Sequence, residues 1–91
     1  MRQIDVDTTA GKLYWANRHA GEIFRSNLDG SNRERFVTSA GNVWDIHVDS
    51  VAKNLYWCDV TGRVVARVDL DNPASRTNVL SNVYPMGLVV D

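Results

Sequence analysis

Cys58 is the only cysteine among 91 residues, and its isolation excludes several chemistries at once. One thiol permits no disulfide within the chain, and neither a zinc cluster nor a redox pair can be built from a single copy. Its expected place is as a small buried apolar side chain. Long apolar runs are also missing: nothing approaches the roughly 18 residues of a membrane helix. The opening MRQIDVD has neither the basic start nor the apolar core of a signal peptide. Charge of one sign is lacking too, because 10 Lys and Arg against 11 Asp and Glu leave a net charge of −1, with no electrostatic footprint for nucleic acid or a membrane surface. The sequence has no glycine-rich phosphate loop, no HExxH and no recognisable Ser, His and Asp spacing. No catalytic residue, metal ligand or cofactor is therefore assigned, and with 44% hydrophobic residues the chain reads as one small globular unit.

What the sequence does have is repetition. Leu13-Tyr14-Trp15 recurs as Leu55-Tyr56-Trp57, 42 residues on. Placing Ile4 over Ile46 also brings Val6 over Val48, Asp7 over Asp49, Ala10 over Ala52, Arg25 over Arg67 and Leu28-Asp29 over Leu70-Asp71 without a gap, and then Val37 over Val79 and Ser39 over Ser81. Leu88 to Asp91 begins the pattern a third time. A fixed period of this length signals stacked or ring-forming repeats. The organisation expected is a first repeat over 1–45, a second over 46–87 and the start of a third over 88–91.

Each repeat divides into four short runs with turn signals between them and no sustained helical spacing, so the fold class is all β. Ile4 to Asp7 and Ile46 to Asp49 alternate apolar and polar. Leu13 to Ala16 is apolar on consecutive residues, as for a strand covered on both faces. Glu22 to Leu28 leads into Asp29-Gly30, a strong hairpin signal, and Asn72-Pro73 fills the corresponding turn. The last runs, opening with Arg33-Glu34-Arg35 and Arg76-Thr77-Asn78, read as polar outer edges. Four such strands in about 42 residues make an antiparallel propeller blade.

These motifs resemble the YWTD repeats, the class B repeats of the low-density-lipoprotein receptor family: IDVD, GKLYWAN and GEIFRSNLDGSNRERFV in one copy, IHVD, KNLYWCD and GRVVARVDLDNPASRTNVL in the other. The resemblance implies six-bladed propellers that serve as extracellular platforms for protein ligands and are not enzymes. The name-giving motif falls on Tyr14, Trp15, Ala16 and Asn17, and on Tyr56, Trp57, Cys58 and Asp59. Tyr and Trp are expected to pack blade on blade, and Asp59 to pair with Arg67, with Asn17 facing Arg25 in the first copy.

Two blades leave two sheet faces uncovered, so cyclic closure of several chains is expected. With six blades the ring is a homotrimer, and residues 4–7 and 88–91 compete for one innermost place beside Leu13 to Ala16. The residues at the mouth of such a ring, Asn42, Trp44, Asp45, Tyr84 and Met86, are the candidate binding set, with Trp44 and Tyr84 as anchors. His47 is in phase with Asp45 and Asp49, and Asp7, Asp49 and Asp91 are expected to close turns. The chain thus reads as a non-catalytic scaffold or protein-binding module, natural fragment or engineered repeat, that partners itself. The alternative is a six-bladed hydrolase of the sugar-lactonase type with a metal on the axis, for which two repeats offer only threefold copies of the same few groups.

Overall fold

The computed structural model describes residues 3–81. It contains two four-stranded antiparallel sheets, each with its strands in chain order. The first holds β1 (Ile4–Asp7), β2 (Lys12–Asn17), β3 (Glu22–Asn27) and β4 (Glu34–Val37). The second holds β5 (Val43–Asp49), β6 (Asn54–Asp59), β7 (Val64–Asp69) and β8 (Asn72–Ser81). The all-β reading and the four strands per repeat are what the structure has. The third start, Leu88 to Asp91, lies outside the described residues, as do Tyr84 and Met86.

Short polar side chains close the turns. The Asp7 carboxylate accepts the backbone N–H groups of Thr9 and Ala10 at 3.0 and 3.2 Å, and Asp49 does the same for Val51 and Ala52 at 3.2 and 3.1 Å. These are the local bonds that let aspartate substitute for a backbone partner in a turn. Gly11 and Gly21 have φ of 69° and 66°, and their counterparts Lys53 and Arg63 hold φ of 60° and 59° despite carrying a Cβ. The same left-handed position recurs at the same place in both repeats.

Because strand side chains alternate, neighbouring Tyr and Trp point to opposite faces. Tyr14, Ile23, Phe36 and Val37 of the first sheet meet Ile46, Val48, Leu55, Trp57, Ala66, Val68 and Leu70 of the second in one core. Phe36 stands edge-on to Tyr14, with ring centroids 5.5 Å apart. Trp15 faces the other way and stacks on its cross-strand partner Phe24 at 5.7 Å. β2 therefore departs from the expectation of a strand covered on both faces: Tyr14 is buried, but Leu13 and Trp15 are only half-buried. Among the described residues no second sheet lies against that side. In β6, Leu55, Trp57 and Cys58 are all buried.

Two further details differ from the sequence reading. Val37 pairs with Ile23 and Leu80 with Val65, so the outer strands correspond 43 residues apart rather than 42. The second repeat thus carries one residue more between Asp71 and Thr77, in the irregular first half of β8, and Val79 matches Phe36, not Val37. The reversal itself is at Leu70-Asp71, where Asp69 pairs with Asn72. Pro73 falls just beyond, in a bulge where Ala74 N–H donates to Asn72 Oδ1 at 3.1 Å. Proline cannot donate to a ladder and is tolerated at such a bulge on an edge strand. The edge character of β8 is complete, every residue being exposed, whereas β4 exposes Glu34 and Arg35 but buries Phe36 and Val37.

Candidate binding face and blade joint

Strand direction brings the β2–β3 turn (18–21), the β4–β5 connection (38–42) and the β6–β7 turn (60–63) to one end of the sheets. There they border an open depression of about 580 Å³ lined by Arg18, His19, Ser39, Asn42, Asp59 and Thr61, among others. Asp59 organises it. One of its oxygens accepts the backbone N–H groups of Asn42, Thr61 and Gly62 at 3.0, 3.1 and 2.9 Å, joining its own turn to the connection between the sheets. Gly41 has φ of 84°, and a Cβ there would come within 2.2 Å of the Asp59 carboxylate. A side chain at position 41 and this clasp are mutually exclusive.

This arrangement corrects the expected pairing of Asp59 with Arg67. Asp59 lies opposite Val64 and Arg67 lies opposite Tyr56, three rungs away. In the first repeat Asn17 likewise lies opposite Glu22, and Arg25 opposite Tyr14. The arginine belongs with the tyrosine. Burial pushes the Tyr14 phenol up, and its hydrogen bond with Arg25 only partly offsets this. Arg25 also pairs with Glu34, lies 4.5 Å from the Phe36 ring centroid and donates from Nη1 to the Leu70 carbonyl at 2.9 Å, which ties the first sheet to the second.

Of the mouth residues, Asn42 is committed locally: its side-chain amide donates to Thr61 Oγ1 at 3.1 Å and its carbonyl accepts Val60 N–H at 3.1 Å. Trp44 is not before the inner strand but inside it, at a bulge between Val43 and Asp45. Bulges turn a side chain away from the regular alternation, and the half-buried Trp44 ring receives the Arg18 guanidinium at 5.1 Å. Asp45 is buried. Beside it Cys58 is fully buried, and burial, assisted by the Asp45 charge, pushes its thiol up to about 11. The structure thus brings Asn42 and Trp44 to one end, while Asp45 turns inward.

His47 Nδ1 lies 3.9 Å from Asp5 Oδ2, which also accepts Val48 N–H at 2.7 Å. Its recorded ionic neighbour is thus on the adjacent sheet, while Asp49 closes a turn. Among the described residues no group of three or more His, Cys, Asp and Glu is arranged to hold a metal ion. Sequence reasoning missed Arg18 and the connecting role of Asp59. The second was signalled by Asp59-Val60-Thr61-Gly62, a turn sequence in which aspartate accepts from the following backbone.

Two twisted four-stranded sheets, in chain order and packed face to face through apolar side chains, are a pair of adjacent β-propeller blades. No protein-family model matches the chain. Low-density lipoprotein receptor-related protein 5 of Homo sapiens is 40% identical over 78 residues, covering 86% of this chain and 5% of that protein. The Mus musculus protein of the same name is 40% identical over 93 residues, covering 98% of this chain and 6% of its own length. The chain therefore spans about a twentieth of the curated relatives it matches. In the crystal structure of a nidogen/laminin complex, one chain matches with a TM-score of 0.82 at 24% identity, over 92% of this chain and 33% of that one, which shows the fold. The chain belongs to the YWTD, or low-density-lipoprotein receptor class B, family of β-propeller repeats.

Proposed function

We propose that this chain is a non-catalytic, protein-binding β-propeller module whose ring is completed by three copies, each supplying the blades of repeats 1–45 and 46–87. The observation that carries the reading is the joint between the two sheets. Its tyrosine side comes from β1–β4 and its tryptophan side from β5–β8, and each sheet presents the opposite kind of side outward. The chain thus has one finished joint and both halves of another. At about 25 cal/mol per Å² of apolar surface, covering these outward sides stabilises the fold by several kcal/mol, a large part of the roughly 5 to 15 kcal/mol of a whole domain. A head-to-tail contact closes whenever the rotation per chain divides a full turn. The 33% of the nidogen-complex chain that is matched is the share two blades take of six.

Ligand binding in this reading belongs to the end that carries Trp44 and Arg18. A half-buried aromatic stacked on a guanidinium, next to an open depression, supplies the amphipathic surface that dominates protein-binding hot spots. The receptor-related relatives and the neighbour from a nidogen/laminin complex favour a protein partner over a small substrate.

Small-angle X-ray scattering tests the ring. A single chain has a Cα radius of gyration of 11.9 Å. The expected result is a clearly larger value that persists on dilution, with a profile fitted by a disc; a value near 12 Å at every concentration would overturn the ring.

A further inference from the structure

The blade joint has a second end, opposite the one that carries Trp44. There the β1–β2 turn, the β5–β6 turn and the reversal at Leu70-Asp71 border a cavity of about 270 Å³, lined by Asp7, Lys12, Tyr14, Arg25, Lys53 and Asp71, among others. Both sheets contribute to its walls, so it belongs to the finished joint and does not depend on the outward sides. Three of its charged groups are engaged. The Asp7 carboxylate accepts the Thr9 and Ala10 N–H groups, Lys12 Nζ donates to Asn27 Oδ1 at 2.8 Å, and Arg25 pairs with Glu34. Lys53 and Asp71 are different. Among the described residues neither side chain makes a hydrogen bond or an ion pair, although the two carry opposite charge and line one cavity.

Lys53 stands there against backbone preference. Its φ is 60°, at the place where the first repeat has Gly11 with φ of 69°. Glycine enters this left-handed region freely, whereas a Cβ is disfavoured in it. For the turn itself glycine is the better residue; what lysine adds is an ammonium at the cavity. The local backbone is held by Leu70, whose N–H donates to the Lys53 carbonyl at 2.9 Å. Asp71 acts on the same space. Burial pushes the Tyr14 phenol up, and the charges of Asp7 and Asp71 add to that push.

The charges of the lining balance. Lys12 and Lys53 stand against Asp7 and Asp71, and Arg25 against Glu34, which leaves no net charge but two unpaired poles. A simple anion would meet the like charge of Asp71 and a simple cation that of Lys53, and like charges disfavour a partner. A ligand carrying both signs makes a charge-assisted hydrogen bond at each pole. The volume lies just below the roughly 300 to 1,000 Å³ of ordinary ligand pockets, which limits the ligand to a small one. We propose that this cavity binds a small zwitterion of the amino-acid class, its carboxylate on the Lys53 ammonium and its own ammonium on the Asp71 carboxylate.

The inference goes beyond the protein-binding reading and makes no use of the ring, since one chain supplies both walls. Amide chemical shifts of the nitrogen-15-labelled chain test it during titration with glycine, β-alanine, 4-aminobutyrate and 5-aminopentanoate. Acetate and methylammonium at equal ionic strength are the single-charge controls. Shifts are expected to gather at residues 7–12, 50–54 and 69–71, with one length of zwitterion bound about tenfold more tightly than either control. Lys53→Gly, which gives the turn the residue of the first repeat, is expected to leave the urea midpoint no lower and to reduce that zwitterion to the affinity of methylammonium. Asp71→Asn, at an exposed site, is expected to reduce it to the affinity of acetate. Acetate bound as tightly as every zwitterion would make this a plain anion site and overturn the proposal. So would the absence of shifts at these residues, or a Lys53→Gly chain that binds as before. A clear fall in the Lys53→Gly urea midpoint would give the lysine a structural role instead and also count against it.

Discussion

Trp57 Nε1 donates to the carbonyl of Ala40 at 3.1 Å, so the indole of the second blade bonds to the segment that leads out of the first. Arg76 lies over the same ring at 5.1 Å and donates to the Thr38 carbonyl at 3.1 Å. Two side chains thus fasten one blade boundary through three contacts.

Trp57 and Trp15, identical in their repeats, should therefore respond differently to truncation. Trp57→Ala removes a fully buried side chain and orphans a carbonyl, and is expected to cost about 3 to 5 kcal/mol. Trp15→Ala, at a half-buried site, is expected to cost less than half of that in dilute solution, while lowering association between copies. Urea unfolding followed by circular dichroism, at low and high protein concentration, checks both. Equal losses in dilute solution would contradict the assignment of faces.

Asp59 should tolerate amide better than deletion. Asp59→Ala leaves three backbone N–H groups without their acceptor and is expected to cost about 2 to 3 kcal/mol. Asp59→Asn keeps an acceptor oxygen and is expected to cost about 1 kcal/mol. Gly41→Ala should be at least as harmful as Asp59→Asn, because the Cβ meets the carboxylate at 2.2 Å and the backbone has φ of 84°. Urea midpoints rank the three variants, and a neutral Gly41→Ala would show that the clasp does not form.

Stability should fall at alkaline pH. The Cys58 thiol ionises near its ordinary value of about 8.5 in the unfolded chain but only at about 11 in the folded one. The unfolded state therefore loses its proton first, and stability that is full below about pH 8.5 declines as pH rises towards 11. Burial of the Tyr14 phenol acts in the same direction at higher pH. Cys58→Ala should flatten the first part of this decline in thermal melts between pH 8 and 11. For the same reason the native thiol should react with a neutral-pH thiol reagent far more slowly than the unfolded one.

Much of the fold was legible because the repeat was. Ile4 to Asp7 is bounded in the structure as the alternation predicts, and Asp7 and Asp49 close their turns as the position of aspartate implied. The pairing of Asp59 with Arg67 failed for a specific reason: strand register depends on where the hairpin turns, and the turn at 60–63 puts Arg67 opposite Tyr56 instead. The extra residue in the first half of β8 was hidden because Val79 and Ser81 match Val37 and Ser39 by chance identity, whereas only strand pairing shows that Leu80 is the partner of Val65. Trp44 could be named but not oriented, since a bulge is not visible in composition or alternation. The Arg18 contact joins a turn of the first sheet to a strand of the second and leaves no local signal at all.

The central claim is that the outward sides of the two blades are halves of a joint between copies. Light scattering after size exclusion, across a dilution series, tests it most directly. The account predicts a stable species of about 31 kDa, three times the chain mass of 10.2 kDa. A folded chain that stays near 10 kDa at every concentration would contradict it.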